Sequence, residues 1–367
     1  MYSFVTQLGK RLDTWIFAGF SVNADQLSAF RIFFAGYYLL WVGVPSFSNR
    51  LAAFPEGIFL PPPGPMRLFS GIPDPWIIQG IDALLPLLWV MLAIGLFTRW
   101  VSVLLSVLMI LLFGWVYSSG KIDHNFIAWL TPLVMAFSNW GKKWSVDAAW
   151  GRSSGTTQAW PVSLMAMILG YGWFTAGTIK IAGGWLDTET AMSQAFFLRN
   201  YYGTERAGLL SDWFIQLQSP LIWEGLDWLT IVFETGFLIA AFFPALFRLF
   251  TLTAICFHLM VLLQLNIVFA HYQPLYLLFW TPYLSATWLR SFFAERQATK
   301  RSIAAGLLLL CLSTEYLANR SPVDLLILML GDRSLKPFFT LLLPLLIIGT
   351  GFWIWLRKGR YQAEKDA

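Results

Sequence analysis

The sequence LLPLLWVMLAIGLFTRWVSVLLSVLMILLFGWVY, residues 84–117, is the clearest indication of the fold class. It consists of two apolar runs, and Arg99 between them is the one charged residue in the stretch. The complete runs cover 77–97 and 100–118, and each is close to the length of about 20 residues that an α-helix needs to cross a bilayer. Both runs are solidly apolar rather than alternating, so they predict transmembrane helices and not barrel strands.

The composition of the whole chain is typical of a membrane protein. The 367 residues are 57% hydrophobic and 12% charged, with a mean hydropathy of +0.61, whereas soluble domains carry about 25% charged residues. The 20 Trp fit the aromatic belts found at bilayer interfaces. The net charge of +5 is not arranged as a basic stripe, so nucleic acid is not an expected partner. Cys256 and Cys311 fall in apolar runs and are interpreted as core residues.

The predicted fold class is an all-α, polytopic membrane protein with about ten transmembrane helices. Lys and Arg are more frequent in the alternate loops that share a side with the N-terminus, which predicts an N-in, C-in topology. The ten predicted spans, found as apolar runs of suitable length, are 27–45, 77–97, 100–118, 122–139, 160–180, 226–247, 249–269, 273–289, 303–318 and 338–356.

The domain organisation follows from these spans. Residues 1–300 are predicted to form one transmembrane domain, and residues 301–367 add two helices and a short basic tail. Two long loops, 46–76 and 181–225, then lie outside, where substrate contacts are common. The second loop has the mixed composition of a small amphipathic cap. No internal repeat stands out, which disfavours a secondary transporter.

Polar residues inside apolar runs are the candidate functional residues, because an ionisable group in a membrane span is costly unless it is paired or hydrated. On the predicted topology most of them lie in the outer half of the membrane, which predicts one outward-facing polar pocket. Its predicted members are His124, Lys180, Glu234, Gln264, Asn266 and His271.

Each of these residues also has a structural interpretation. Arg31 suits a topology anchor or a structural ion pair, and Lys180 near a helix end suits a snorkelling side chain. Apolar surroundings favour a neutral amine, however, which allows a lysine to act as a base. Asn125 is placed to orient His124. His258 lies midway along its span with no role that the sequence assigns.

No metal-binding or nucleotide-binding motif is present in the sequence. The three histidines have no HxxxH or HExxH spacing, so no metal site is predicted. The chain also lacks P-loop and GxGxxG motifs.

Four stretches together resemble a known family. They are LSAFRIFFAG (27–36), DHNFIAWLTPLVMAFSNWGKKWSVDA (123–148), AGTIKIAGGWL (176–186) and FHLMVLLQLNI (257–267). They are similar to the horizontally transferred transmembrane (HTTM) family, which comprises bacterial relatives of the vitamin K-dependent γ-glutamyl carboxylase. The second stretch, with its His-Asn pair and its Trp-Ser-Val-Asp segment, is the most specific of the four.

The resemblance implies an integral membrane enzyme that oxygenates a reduced, vitamin K-like naphthoquinone to its epoxide. O2 is then a co-substrate, and CO2 is a second one if a peptide glutamate is carboxylated. Lys180 stands at the position of the catalytic lysine that deprotonates the quinol, and His124 at that of a histidine thought to stabilise the oxygenated intermediate. The other implied pocket residues are Arg31, Asn125, Trp185, Glu234, His258, Gln264, Asn266 and His271.

Two departures separate the chain from this family. Ile179 stands where the residue before the catalytic lysine is also a lysine, and the large C-terminal extramembrane domain of animal carboxylases is missing. The quinone chemistry is therefore better supported than the carboxylation.

The expected partners are a lipidic quinone, the bilayer and a secreted peptide or protein, with the site facing the periplasm from a bacterial inner membrane. The alternative is a non-enzymatic partner protein that serves peptide maturation or binds a lipid or quinone.

Overall fold

The chain is all-helical in a computed structural model, which describes residues 2–55, 57, 59–118, 125–283, 309–311, 313, 321–329, 346, 348–350 and 352–354. No strand occurs in these ranges. Their principal α-helices are α1 (Tyr2–Thr14), α2 (Ala24–Tyr37), α3 (Ser48–Ala52), α4 (Pro75–Ile94), α5 (Thr98–Tyr117), α6 (Phe126–Met135), α7 (Val146–Ala149), α8 (Trp160–Ala182), α9 (Met192–Leu198), α10 (Ser211–Ile215), α11 (Pro220–Ala240), α12 (Pro244–Leu265), α13 (Gln273–Trp280) and α14 (Pro322–Met329).

Four helices are long and apolar enough to cross a membrane, namely α4, α5, α8 and α12. The all-helical prediction is confirmed for the described residues, and so are the two helices predicted from residues 84–117. Helix α11 is 21 residues long but carries Glu224, Asp227 and Glu234, which lower its apolar character. The predicted spans 303–318 and 338–356, together with residues 284–289 of another, lie largely or wholly outside the described residues.

Helices α4 and α5 form a hairpin with a sharp turn at Gly95. Gly95 has a φ of +71° and ends α4 in the left-handed conformation that favours glycine. A Cβ atom at this position would overlap the guanidinium of Arg31, so the close approach also requires glycine. The Asp147 carboxylate accepts hydrogen bonds from the backbone N–H groups of Phe97 and Thr98, which caps the start of α5.

Three predicted span boundaries were wrong. The span predicted at 226–247 is α11, which starts at Pro220 and ends at Ala240, and the one at 249–269 is α12, which starts at Pro244. A proline at the first helical position begins both helices, and it is the local signal that marks these boundaries. In the span predicted at 122–139, the described helix α6 has only 10 residues and is followed by turns.

Helices α8 and α11 pack closely and antiparallel. A Cβ atom on Gly170 would lie 3.1 Å from the Leu238 Cα atom, and one on Gly177 would lie 3.1 Å from the Glu234 Cβ atom. These glycines are two turns apart on the face of α8 that meets α11, and they let the two helices approach closely at both points. Gly177 lies opposite Glu234, so the end of α8 lies opposite about Leu229, and α11 extends about 14 Å further, given a rise of about 1.5 Å per residue.

The extension of α11 carries a small folded cap, residues 185–219. The cap helices α9 and α10 enclose a minor core of Phe197, Phe214, Trp223 and Leu265. Asp227 is fully buried and accepts hydrogen bonds from the N–H groups of Met192 and Ser193, at 2.9 and 2.7 Å, which caps α9. We call this end of the bundle the cap end.

Two further contacts order the surface of the cap end. In the cap, the exposed Tyr201 hydroxyl donates to Asp212 at 3.1 Å, and this hydrogen bond raises the pKa of Tyr201. In the segment 46–76, the N–H groups of Phe47 and Ser48 donate to the carboxylate of Asp82 on α4. The cap and the segment 46–76 are therefore each attached to a helix of the bundle by a carboxylate, Asp227 or Asp82, that accepts backbone hydrogen bonds.

The opposite end of the bundle is formed by residues 15–25, 95–99, 136–160 and 241–248, and we call it the basic end. Trp15 Nε1 donates to the Ala241 carbonyl at 3.0 Å, which ties the N-terminal segment to the α11–α12 turn. The basic side chains at this end are Arg99, Lys142, Lys143, Arg152 and Arg248.

Candidate functional site

Lys180 and Glu234 form an ion pair between α8 and α11. Lys180 Nζ lies 2.7 Å from Glu234 Oε1 and 2.6 Å from Oε2, so the amine contacts both carboxylate oxygens. The Glu234 side chain is only 3% exposed, whereas that of Lys180 is 24% exposed. A buried carboxylate needs such a partner, because an isolated charge in an apolar interior is strongly disfavoured.

The close packing of α8 on α11 sets this geometry. Gly177 lies one turn before Lys180, and the space left by its missing side chain is filled by Glu234 and Thr235. Glu234 was expected about a third of the way along its span. It lies about two thirds of the way along α11, because that helix starts at Pro220. The pair therefore lies at the base of the extension that carries the cap.

Trp185 covers the amine of Lys180. The helix ends at Ala182, and Gly184 follows with a φ of +82°, which returns the chain toward the helix end. The Trp185 N–H donates to the Lys180 carbonyl at 3.2 Å, and the Lys180 Nζ atom lies 5.3 Å from the Trp185 ring centroid. This distance is within the range of a cation–π interaction.

The site has an apolar flank. Ile179 and Ile181, on either side of Lys180, are 73% and 42% exposed. Their exposure shows that these side chains face the surroundings of the bundle rather than its core. Helix α8 is apolar enough to span a membrane. The arrangement offers one amine, one carboxylate and one aromatic ring next to an apolar surface, which suits an aromatic ligand with a hydroxyl group.

His258 belongs to a second, fully buried cluster. Its ring is stacked between Trp173, at 5.3 Å and 22°, and Phe269, at 4.4 Å and 13°. Gln273 Nε2 lies 3.2 Å from His258 Nδ1. The Oε1 atom of Gln273 is buried and has no hydrogen-bond partner in the described part of the chain. The structure therefore assigns His258 a packed, hydrogen-bonded position in the core.

Trp173 connects the two clusters, and the sequence analysis missed it. It lies two turns before Lys180 on the same face of α8, stacks on Phe237 of α11 at 5.5 Å and 2°, and also stacks on His258. Its Nε1 atom donates to the Tyr276 hydroxyl at 3.3 Å. The spacing of seven residues from Lys180 was a signal that would have placed Trp173 on the side of Glu234.

His271 lies in a third group, close to α2. Its ring stacks on Tyr38 at 5.7 Å and 17° and meets the edge of Trp129 at 4.9 Å. Its Nδ1 atom is 3.3 Å from the Tyr38 hydroxyl. The single polar pocket expected from the sequence is thus divided into three groups, which aromatic rings separate.

Arg31 lies apart from all three groups, near the basic end. Its side chain is fully buried, and its Nη2 atom donates to the Trp144 carbonyl at 2.5 Å. The Nε and Nη1 atoms have no hydrogen-bond partner among the described residues. Asp147 interacts electrostatically with this guanidinium. Arg31 therefore holds α2 against the segment that joins α6 to α8.

The remaining predicted residues have other positions. Asn266 ends α12 in the left-handed conformation with a φ of 52°, and Gln264 accepts a hydrogen bond from Ser211 through its backbone carbonyl. Neither side chain reaches Lys180 through a hydrogen bond within the described ranges. Asn125 immediately precedes α6. His124 lies outside the described residues.

No group of three or more metal-ligating side chains occurs in the part of the chain that the structure describes. Comparisons of the chain with family models, with curated proteins and with solved structures found no match. The fold and the site together define an all-helical protein with helices able to cross a membrane and a buried Lys–Glu pair at one end.

Proposed function

We propose that the protein is an integral membrane enzyme of the HTTM, vitamin K-dependent carboxylase-like kind, which acts on a reduced naphthoquinone with Lys180 as the base. The observation that carries this proposal is the buried contact of Lys180 with both oxygens of Glu234, under the ring of Trp185. A structural lysine at a helix end needs neither partner, because its amine can extend to the interface.

The chemistry of these side chains fits a reduced naphthoquinone. The indole of Trp185 offers a flat surface for an aromatic ring. The amine and the carboxylate offer a donor and an acceptor for a phenolic hydroxyl. Ile179 and Ile181 provide an apolar, exposed approach for a lipidic molecule.

In this proposal Glu234 first accepts a proton from the Lys180 ammonium, and the neutral amine then accepts the proton of the phenolic hydroxyl. The bound quinol supplies the redox chemistry with O2, and CO2 is the co-substrate if a peptide glutamate is carboxylated. The Lys180 ammonium formed in this step lies beside the oxygen that loses its proton and stabilises its negative charge. His124 is the proposed second catalytic residue, by resemblance alone.

The proposal includes a full topology of ten spans with both termini inside, in a bacterial inner membrane. The Lys180 site then faces the periplasm, and a peptide substrate is held by the segments 46–76 and 181–225. The excess of basic residues at the basic end of the bundle supports this orientation.

A second function, binding of a quinone or lipid without turnover, is favoured by one observation. Both oxygens of Glu234 are engaged by Lys180, which is the arrangement of a stable, protonated ion pair. In that case the pair holds α8 to α11 and shapes a binding site.

Turnover by purified protein in nanodiscs distinguishes the two functions. We expect wild type to consume reduced naphthoquinone and to form its epoxide. Lys180→Ala should abolish this reaction, and Lys180→Arg should abolish it while keeping the ion pair, because arginine does not release its proton. Lys143→Ala is the matched control, since it removes a lysine that pairs with Asp25 at 3.0 Å on the basic end.

Wild-type rates in both Lys180 variants would refute the enzymatic proposal. Quinone bound by wild type without any turnover would establish the second function instead.

A further inference from the structure

A cavity of about 320 Å³ lies at the basic end of the bundle, on the opposite end from Lys180. The cavity lies between the first residues of α5 and the segment that joins α6 to α8. Its polar and charged lining includes Thr98, Arg99, Asn139, Asp147, Arg152 and Ser153. Nothing in the proposed reaction uses this cavity.

The two arginines of the cavity are held in place by aromatic rings. The Arg99 guanidinium carbon lies 5.5 Å from the Phe137 ring centroid. The Arg152 guanidinium carbon lies 4.9 Å from the Phe97 centroid and 4.8 Å from that of Trp150. Stacking on a ring leaves the edge of a guanidinium, with its N–H donors, available to a ligand. No carboxylate in the described residues forms an ion pair with either arginine.

The acidic residue of the cavity is already satisfied. Asp147 accepts from the backbone N–H groups of Phe97 and Thr98, and from the Thr98 hydroxyl at 2.7 Å. The buried guanidinium of Arg31 lies behind it and offsets its charge. By contrast, the Ser153 hydroxyl is buried with no hydrogen-bond partner among the described residues, so it is a free donor at the cavity.

The rim of the cavity is apolar and exposed. Phe137 lines the cavity and is 43% exposed, and Phe97 and Trp150, which contact Arg152, are 46% and 59% exposed. Basic groups next to exposed aromatic rings, at the end of helices that can cross a membrane, match the interface between headgroups and acyl chains. A free anion would contact only the arginines and other polar groups of the cavity. The acyl chain of a lipid would also contact the aromatic rim.

We infer that this cavity binds the phosphate headgroup of an anionic phospholipid, with Arg99, Arg152 and the Ser153 hydroxyl as donors to the phosphate. The acyl chains lie against the aromatic rim. The site holds a structural or regulatory lipid and is separate from the Lys180 site.

Lipid binding to the purified, delipidated full chain tests this inference. We expect phosphatidylglycerol to bind and raise the melting temperature, and phosphatidylcholine to bind at least about fivefold more weakly. Arg99→Gln and Arg152→Gln should each weaken phosphatidylglycerol binding about fivefold, because each removes one basic contact near an anionic headgroup. Ser153→Ala should weaken it less.

Arg50→Gln and Arg206→Gln are the matched controls, because both remove an exposed arginine at the cap end. They should bind phosphatidylglycerol as wild type does. Lipid-free melting temperatures equal to that of wild type would show that the cavity variants fold.

Three results would overturn the inference. They are equal binding of the two lipids, unchanged phosphatidylglycerol binding in both cavity arginine variants, or inorganic phosphate that binds as tightly as phosphatidylglycerol. The last result would assign the cavity to free phosphate.

Discussion

At the residue scale, Lys180 and Glu234 depend on each other. Glu234 is almost completely buried in a helix whose other face is apolar, so its charge requires a cation in contact. Lys180 is near a helix end and partly exposed, so its amine has water within reach as an alternative. Because Glu234 is more deeply buried than Lys180, Glu234 depends more strongly on the ion pair. If Glu234 is replaced, the Lys180 amine can still extend to solvent.

Glu234→Gln should therefore lower the free energy of unfolding by about 1–3 kcal/mol, between the values for exposed and fully buried pairs. The melting temperature of the purified protein is the measurement. Glu224→Gln on the same helix is the control, because Glu224 accepts a hydrogen bond from Trp228 Nε1, which a glutamine can also accept. Equal melting temperatures for the two variants would show that the Lys180–Glu234 pair contributes nothing to stability.

The sequence identifies Lys180 and Glu234 as candidates, but it does not show that they meet. Both stand out because they are ionisable residues in apolar runs. Their contact depends on the register between α8 and α11, which are separated by the cap, and no local pattern specifies that register. The same applies to His258 and His271, whose separate aromatic surroundings are formed by residues distant in the chain.

At the element scale, two glycines set the register of α8 against α11. Any side chain at Gly177 would meet Thr235 Cγ2 at 2.8 Å and the Thr235 backbone N atom at 3.1 Å. Such distances force one helix to move, because backbone atoms cannot turn aside. The Lys180–Glu234 contact lies one turn away and would lengthen with the shift.

Gly177→Ala should destabilise the protein by about 1–3 kcal/mol, the usual effect of overpacking. It should also reduce turnover in the same assay that tests Lys180. Gly80→Ala on α4 is the control, because a Cβ atom there meets nothing within 4 Å and alanine favours the helix by about 1 kcal/mol. A Gly177→Ala protein as stable and active as Gly80→Ala would rule out this packing role.

Some helix boundaries are marked by local residues in the sequence, and others are not. Pro220 and Pro244 begin α11 and α12, and Asn266 ends α12, so these boundaries were available from local signals. The end of α6 at Met135 could not be predicted from local signals. Residues after it are drawn into turns by long-range hydrogen bonds, such as those from Asn139 Nδ2 to the Ser154 carbonyl and from the Gln158 N–H to the Ser138 carbonyl.

At the scale of the whole molecule, the two ends of the bundle differ in chemistry. The basic end carries clustered arginines and lysines with exposed aromatic rings, and the cap end carries a folded cap bound by the buried Asp227 carboxylate. Composition and hydropathy predict the membrane class and the helical fold. They do not predict the cap docking, because Asp227 appears in the sequence as one more polar residue in an apolar run.

The proposed orientation predicts opposite labelling of the two ends in intact cells. In a background that carries Cys256→Ala and Cys311→Ala, a membrane-impermeant thiol reagent should label Thr204→Cys in the cap. It should label Ser154→Cys only after the membrane is permeabilised. Labelling of Ser154→Cys in intact cells, with Thr204→Cys protected, would reverse the proposed topology.

The most direct test of the proposal that Lys180 acts on a naphthoquinone is the position of a bound naphthoquinone in the purified protein. This position can be determined by electron cryomicroscopy at a saturating ligand concentration. The proposal predicts ligand density against the Trp185 ring, with a ring oxygen within hydrogen-bonding distance of Lys180 Nζ. Density at any other place in the bundle, with the Lys180–Glu234 pair closed and free of ligand, would contradict it.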